Sequence, residues 1–292
     1  MRLKKLATVG LSVVCALSIM TGCGSSGESS GAKKTITVVS REEGSGTRGA
    51  FVELFGIEEE NADGEKVDMT TVDAAISNST EAVMTTVAGD EYAIGYTSLG
   101  ALSDTVKALK IDGVEATADN IKNGSYKIQR PFNIATKGDV SEVAQDFINF
   151  ILSVEGQQVV EEKGYIAIET EQEFVSNNAT GKLVIAGSSS VTPVMEKLTE
   201  AYKAINTGVE IEVQESDSTT GMTSVNEGTC DIGMASRGLK DTELEAGLTS
   251  TVIALDGIAV IVSPKNEMED ITPDTVKAIF KGQVTDWSEV TK

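Results

Sequence analysis

Three short segments of the chain combine glycine with serine or threonine, and each lies between an apolar run and a helix-like run. They are residues 40–47, 187–190 and 215–221. The first turn of a helix offers backbone N–H groups and partial positive charge, hydroxyls add donors, and glycine lets the backbone approach closely. One such segment needs no ligand, because serine and threonine are ordinary helix caps. Three of them, one carrying Arg41, favour binding of a desolvated tetrahedral oxyanion.

The composition excludes several other kinds of site. The 292 residues include no histidine, which rules out Ser-His-Asp and Cys-His catalysis and the common imidazole metal sites. Catalysis by carboxylates, alone or with a metal, passes this test, but the sequence has no dense aspartate cluster to support it. We therefore predict no catalytic residue, no metal and no cofactor.

Charge and cysteine content restrict the partners. The chain has 45 Asp and Glu residues against 24 Lys and Arg, a formal net charge of −21. This negative field argues against nucleic acid or an anionic lipid surface as a partner. Exposed charges beyond about 8–10 Å are screened at physiological salt, so donors inside a cleft can still hold an anion. Of the three cysteines, Cys230 is alone in the predicted folded part, so we predict no intramolecular disulfide.

The elements that would position the three segments alternate strand-like and helix-like runs. This alternation indicates an α/β architecture with helices packed on mostly parallel sheets. In open α/β sheets, ligands gather beyond the carboxyl ends of the strands, where the segments should lie. We predict strands at residues 35–39, 183–186, 209–213 and 258–262, and helices at residues 143–152, 194–205 and 273–280.

The amino terminus resembles an export signal. Three of the first five residues are basic, and an apolar run follows that is too short for a comfortable membrane crossing. The run ends in Met-Thr-Gly-Cys, which resembles the bacterial lipobox, where cleavage precedes a cysteine that becomes lipidated. We predict a signal peptide over residues 1–22, lipidation of Cys23 and a Gly/Ser tether over residues 23–34. A plain secretory signal with an incidental cysteine is the alternative.

Five segments carry a resemblance to a known family. They are residues 38–47, 92–100, 187–193, 231–237 and 256–262, and the Arg-x-x-Gly-Ser-Gly-Thr sequence in the first is the most specific. These segments resemble the phosphate-binding lipoproteins (PstS-like) of phosphate ABC transporters. The resemblance implies a two-lobed periplasmic-binding-protein-like (type II) fold, in which two α/β lobes joined by a hinge hold the ligand in the cleft between them.

The order of the segments differs from that of the family. In the family, the part similar to residues 183–290 comes first and the part similar to residues 35–175 follows, so the chain resembles a circular permutation. The resemblance then implies that lobe I is residues 130–257, which are continuous here, and that lobe II is residues 35–129 plus 258–292. A truncated or mis-assembled tandem gene is the alternative origin of this order.

The resemblance also implies site residues, position by position. Arg41 would be the charged clamp and Glu43 would orient it. The other implied phosphate ligands, which offer hydroxyl, backbone or guanidinium donors, are Ser45, Gly46, Thr47, Ser189, Ser190, Ser218, Ser236 and Arg237. Well-known members have an aspartate near Ser236 and Arg237 that accepts the phosphate proton. Its replacement by serine and arginine favours a dianion and weakens discrimination against sulfate. A shift of the alignment by one residue would make Ser188 a ligand.

The predicted function is capture of inorganic phosphate by a monomeric lipoprotein anchored to the outer face of the bacterial cell membrane, which delivers the ion to an ABC permease. One alternative is a binding protein for another oxyanion, such as sulfate or molybdate. A second is a surface lipoprotein that senses phosphate without transporting it. A third is a metal-dependent phosphoesterase, against which the missing histidine argues.

Overall fold

The computed structural model describes residues 34–62 and 64–290. The predicted signal peptide, Cys23 and the predicted tether up to residue 33 lie outside these residues. None of the helices in the described part combines the length and the apolar character that a membrane crossing needs.

Most of the longer strands are rich in β-branched and other apolar residues. In chain order the strands are β1 Thr37–Arg41, β2 Glu58–Glu60, β3 Lys66–Asp68, β4 Ala75–Ser77, β5 Ala93–Ser98, β6 Lys107–Ala108, β7 Lys110–Ile111, β8 Gln129–Lys137, β9 Gly181–Ser188, β10 Val209–Ser216, β11 Ile232–Ala235, β12 Leu248–Val262 and β13 Asp270–Ile271.

Most helices begin after a side chain that accepts a hydrogen bond from a backbone N–H of the first turn, as Ser45, Ser79 and Asp217 do. The helices are α1 Gly46–Leu54, α2 Thr80–Gly89, α3 Ala118–Lys122, α4 Glu142–Ile151, α5 Val154–Glu162, α6 Thr192–Ile205, α7 Ser218–Glu227, α8 Asp241–Glu245 and α9 Pro273–Phe280, with short 3-10 helices at Leu99–Ala101 and Trp287–Glu289.

One large sheet contains two parallel sets of strands. Its order is β10-β9-β11-β8-β12-β5-β1-β4, with β6 paired to β12. Strands β10, β9 and β11 are parallel at one end, and β5, β1 and β4 are parallel at the other. Between them, β8 and β12 run antiparallel to each other and to their outer neighbours. These two long strands therefore connect the parallel sets.

The buried apolar side chains form two large cores, one on each parallel set. The first combines residues 36–128 with residues 258–290 and includes Ile166; at its centre, the rings of Phe51 and Tyr96 stack with centroids 4.0 Å apart. The second is built from residues 132–254 and contains Phe147 and Tyr202, whose centroids are 5.1 Å apart. Two smaller clusters extend these cores.

Every strand and helix predicted from the sequence is present, most with shifted limits and α9 with the predicted ones. The predicted strands correspond to β1, β9, β10 and β12, and the predicted helices to α4, α6 and α9. The main difference is β12, which begins ten residues before the predicted strand at residue 258 and pairs along most of its length with β8. The sheet is thus parallel at its two ends, as expected, but antiparallel in the middle.

Candidate anion-binding site

The three glycine- and hydroxyl-rich segments meet in the interior of the protein. Seven buried hydroxyls form one hydrogen-bonded group, which we call the hydroxyl cluster: Thr47, Thr80, Ser188, Ser189, Ser190, Ser218 and Ser236. The Thr47 hydroxyl lies 2.8 Å from that of Ser190, and the Ser236 hydroxyl lies 2.9 Å from that of Ser188 and 3.4 Å from that of Ser218. Residues far apart in sequence therefore present polar hydrogens to one small volume.

The sheet topology explains why the hydroxyl cluster forms. Strands β9, β10 and β11 are parallel neighbours, so their carboxyl ends lie at the same edge. Ser188 ends β9, Ser236 follows β11, and Ser218 opens the helix after β10. Strand β1 and helix α1 supply Thr47 from the other parallel set. The first turns of α1, α6 and α7 therefore all lie close to this edge.

Glycine at position 46 permits the close approach of α1. A Cβ atom on Gly46 would lie 2.5 Å from the Ser218 hydroxyl oxygen and 2.9 Å from that of Ser236. The preceding turn is tied to α7, because the backbone N–H and the hydroxyl of Thr219 both donate to the Gly44 carbonyl at 3.1 Å. The backbone at the start of α1 thus lies directly against the hydroxyl cluster.

Arg41 is the cation of the site, and its side chain is 3% exposed. Its Nε and Nη2 donate to the two carboxylate oxygens of Glu42 at 2.8 and 2.7 Å, and its Nη1 donates to the Thr80 hydroxyl at 3.3 Å. Glu42 orients the guanidinium, whereas the sequence assigned this role to Glu43. The backbone N–H of Ser45 donates to the Glu42 carbonyl at 3.0 Å, and this turn leaves Glu43 exposed at its corner.

Arg237, which the resemblance implies as an anion ligand, forms an ion pair with Glu243. Its Nη1 and Nη2 donate to the Glu243 carboxylate at 2.8 and 2.7 Å, and Nη1 also donates to the Gly238 carbonyl at 2.9 Å. Burial alone would raise the pKa of Glu243, but the hydrogen bonds and charge of Arg237 outweigh it and lower that pKa. The Arg237 guanidinium is therefore neutralised beside the hydroxyl cluster, with its Cγ near Gly46.

The remaining predicted residues have different positions relative to the hydroxyl cluster. Thr47, Ser189, Ser190, Ser218 and Ser236 are members, and so is Ser188, which the sequence left as an alternative ligand. Gly46 lies against two members. Ser45 is buried at the start of α1, where its hydroxyl accepts from the Arg48 backbone N–H at 3.3 Å.

Thr80 is a member that the sequence analysis missed. Its backbone N–H donates to the Ser189 hydroxyl at 3.2 Å, and its own hydroxyl lies 3.1 Å from that of Ser189 and 2.9 Å from that of Ser190. The sequence carried a signal, since Ser79 and Thr80 follow the short strand β4 and open α2. Without a glycine, this segment did not match the pattern of the other three.

A second missed feature is a fully buried ion pair beside the hydroxyl cluster. Arg130 on β8 donates through Nη2 to Asp256 on β12 at 3.0 Å, and through Nη1 to the Ser236 carbonyl at 3.1 Å. Asp256 also accepts from the Ser98 hydroxyl at 2.9 Å. Burial raises the pKa of Asp256, and Arg130 and Ser98 oppose that shift.

The described residues contain no group of three or more His, Cys, Asp or Glu side chains that could hold a metal ion. The arrangement brings hydroxyl donors, backbone donors and the Arg41 guanidinium to one small volume, and such a set of donors suits an anion.

Comparison with known proteins identifies the family. The sequence profile of the PBP superfamily domain matches residues 25–155 and 174–292. The phosphate-binding protein PstS 2 of Streptococcus agalactiae is 54% identical over 99% of both chains. PstS 2 of Streptococcus pneumoniae is 44% identical over 99% of this chain and 100% of its own.

A solved structure agrees with these relatives. The crystal structure of a phosphate-binding protein of a phosphate ABC transporter from Streptococcus pneumoniae is 47% identical, with a TM-score of 0.69 over 88% of this chain and 100% of that chain. These matches confirm the predicted periplasmic-binding-protein-like fold and the resemblance noted in the sequence. The chain belongs to the PBP superfamily and, within it, to the PstS-like phosphate-binding proteins.

Proposed function

We propose that this protein captures inorganic phosphate outside the cytoplasmic membrane and delivers it to the permease of an ABC transporter. The observation that carries the proposal is the convergence of Arg41 and the hydroxyl cluster, with the first turn of α1 against it. The names of the relatives, which are phosphate-binding proteins and a component of a phosphate ABC transporter, point to the same ligand.

The number of donors is sufficient for tight binding without any covalent chemistry. A hydrogen bond contributes about 0.5–1.5 kcal/mol net, or about 1.5–3 kcal/mol when one partner is charged. Six to eight such bonds and one arginine correspond to roughly −8 to −12 kcal/mol after the costs of association, a dissociation constant between micromolar and nanomolar. Binding exchanges hydroxyl–hydroxyl contacts for contacts with the anion, and we propose no catalytic step.

We propose that Ser45, Gly46, Thr47, Ser189, Ser190, Ser218, Ser236 and Arg41 bind the ion, with Thr80 as an addition and Glu42 in the orienting role. Lobe I would be residues 130–257 and lobe II residues 35–129 plus 258–292. The two separate cores support this division, and the pair β8 and β12 would act as the hinge about which the lobes close on the ion.

Three further features belong to the proposal. The two halves are in circularly permuted order, and the relatives that align over nearly their whole length share this order, which argues against a gene-assembly artefact. The protein is exported and anchored to the outer face of the membrane through lipidated Cys23. It works as a monomer, and binding of the ion would need no second subunit, since the donors named above lie in one chain.

Titration calorimetry of the protein, dialysed free of phosphate, tests the function. We expect one phosphate ion per chain with a dissociation constant in the micromolar range or below, and weaker binding of sulfate and molybdate. Binding of molybdate or sulfate with higher affinity than phosphate would favour the alternative oxyanions. An absence of heat with all three ions would contradict an oxyanion-binding role.

A further inference from the structure

Several hydroxyls of the site accept a hydrogen bond from a group that can only donate. A hydroxyl has one hydrogen to donate, so a hydroxyl that accepts from a neighbour can direct its own hydrogen elsewhere. The Ser189 hydroxyl accepts from the Thr80 backbone N–H at 3.2 Å, and the Ser218 hydroxyl accepts from the Ser236 backbone N–H at 3.1 Å. The Ser45 hydroxyl accepts from the Arg48 N–H. Because these donors are backbone groups, the polarity cannot reverse by rotation of a side chain.

Two more hydroxyls are oriented by side chains. The Thr80 hydroxyl accepts from Nη1 of Arg41 at 3.3 Å, and a guanidinium can only donate. The Ser188 hydroxyl donates to that of Ser236 at 2.9 Å. Ser236 must therefore direct its own hydrogen to a third group, either another member of the hydroxyl cluster or a bound anion.

The carboxylates near the hydroxyl cluster have donors of their own. Arg41 binds Glu42, Arg237 binds Glu243, and Arg130 with Ser98 binds Asp256. Asp217 accepts from the backbone N–H and the hydroxyl of Thr220. Each of these four carboxylates therefore already accepts hydrogen bonds from the protein.

We propose that the site binds tetrahedral dianions, such as sulfate and dibasic phosphate, in preference to monobasic phosphate. Ser188 is then a positioning residue: its hydroxyl donates to that of Ser236, so that the Ser236 hydroxyl donates to the ion. This inference rests on the proposed function, since it concerns the ion held by the same donors. Monobasic phosphate carries two hydrogens that need acceptors, dibasic phosphate carries one, and sulfate carries none. Several hydroxyls of the site and its neighbouring carboxylates already accept hydrogen bonds from the protein, so the site offers few free acceptors and penalises each additional proton on the ion.

The proposal predicts that phosphate affinity depends on pH, and the composition of the chain makes this dependence simple to interpret. The second ionisation of inorganic phosphate falls near neutral pH, and the chain has no histidine. Unperturbed carboxyl groups titrate near pH 4 and lysine and tyrosine near pH 10 or above. The charged and titratable side chains that face the site from the surrounding elements are Arg41, Glu42, Arg48, Glu81, Tyr96, Arg130, Lys163, Tyr165, Glu196, Glu215, Asp217, Arg237, Glu243 and Asp256.

Among these groups, the Glu215 carboxyl could itself change the phosphate affinity with pH, so the experiment needs a control for it. Glu215 borders a cavity of about 230 Å³ together with Thr80 and Ser189. Burial raises the pKa of its carboxyl; Arg41 opposes this shift, and Glu196 and Glu81 add to it. Sulfate keeps its protonation state near neutral pH, so a sulfate titration detects any contribution from Glu215 or another protein group.

Calorimetric titrations of the intact protein with phosphate and with sulfate, from about pH 5.5 to about pH 8, test the proposal. We expect phosphate affinity to fall about tenfold for each pH unit below the second ionisation, because the dibasic fraction falls by that factor. Sulfate should bind, and its affinity should stay constant. Phosphate affinity that is constant or rises on acidification, a parallel fall for both ions, or phosphate binding without sulfate binding would each overturn the proposal.

Variants at position 188 test the positioning residue. In Ser188→Ala the Ser236 oxygen regains an acceptor position, so the loss of phosphate affinity between pH 8 and pH 5.5 should shrink to less than about half of the wild-type factor. Ser188→Thr retains the hydroxyl and should retain the wild-type profile. An unchanged profile in Ser188→Ala would refute the role of Ser188. A failure of the wild-type protein to bind phosphate at any pH would contradict the proposed function itself.

Discussion

Arg41 and Arg237 both lie next to the hydroxyl cluster, and each is paired with a carboxylate. They differ in the further hydrogen bonds that Nη1 of each guanidinium donates. Nη1 of Arg41 donates to Thr80 within the hydroxyl cluster, whereas Nη1 of Arg237 donates to Glu243 and to the Gly238 carbonyl outside it. The contacts of Arg237 with Glu243, Gly238 and Thr219 all lie outside the hydroxyl cluster, so Arg41 is the better placed of the two to add a charge-assisted hydrogen bond to an anion held there.

Replacement of the two arginines should have unequal effects on phosphate affinity. Arg41→Met should weaken phosphate binding about 100-fold or more, because hydrogen bonds to charged groups contribute about 1.5–3 kcal/mol each. Arg237→Met should weaken binding less than about tenfold, because it removes a cation already neutralised by Glu243. Calorimetry gives both constants, and far-ultraviolet circular dichroism verifies that each variant is folded. Equal losses, or a larger loss for Arg237→Met, would contradict the site described above.

The segments that contribute to the site can be predicted from the sequence, but the hydrogen-bond partners of single residues cannot. The hydroxyl-rich segments were found because serine, threonine and glycine leave a local pattern. Glu42 and Glu43 are adjacent and chemically identical, so only the turn after β1 determines which of them meets Arg41. Thr80 was missed because its segment lacks the glycine of the other three and follows a strand of only three residues, β4.

At the scale of the elements, the start of α1 is the part most tightly fitted to the site. Gly46 opens the helix, and its backbone lies against Ser218 and Ser236. Gly49 belongs to the same helix but has open space where a Cβ would be. Alanine at Gly49 would therefore change only the helix propensity, whereas alanine at Gly46 would also add volume against the hydroxyl cluster.

Alanine at these two positions should act in opposite directions. Gly46→Ala should weaken phosphate binding at least about tenfold and destabilise the fold by about 1–3 kcal/mol, because the new methyl group overlaps the hydroxyl oxygens. Gly49→Ala should leave phosphate affinity unchanged and stabilise the protein by up to about 1 kcal/mol, since alanine is the better helix former. Thermal denaturation and calorimetry measure both. Normal phosphate affinity in Gly46→Ala would refute the close approach of α1.

The limits of the elements show what the local sequence does and does not determine. Helices α4, α6 and α9 were predicted to within two residues, because their apolar spacing and capping residues are local. Strand β12 was predicted for its last five residues only. Its first ten residues gain their order from pairing with β8, more than 100 residues earlier in the chain, and no local pattern specifies that partner.

At the scale of the whole molecule, the Arg130–Asp256 ion pair ties together the middle of the sheet. The two residues lie opposite each other on β8 and β12. Through Ser98 the pair reaches the end of β5, and through the Ser236 carbonyl it reaches the end of β11. One ion pair thus joins four neighbouring strands and both parallel sets. The two residues are 126 positions apart, so no local pattern in the sequence indicates that they pair.

Breaking this pair should destabilise the whole fold, and breaking an exposed pair should not. Asp256→Asn leaves Arg130 as a buried cation without a counter-charge, a change that costs about 3–5 kcal/mol in comparable sites. Lys122→Gln removes the partner of Glu161 in an ion pair of 2.7 Å whose side chains are about half exposed, and such pairs contribute less than about 1 kcal/mol. Urea unfolding followed by circular dichroism gives both free energies, provided that the slope with denaturant is unchanged. If Asp256→Asn cost no more than Lys122→Gln, the centre of the sheet would owe its stability to apolar packing alone. In that case the role of the ion pair would be to hold the Ser236 carbonyl in place. Asp256→Asn should then lower phosphate affinity and leave the free energy of unfolding unchanged.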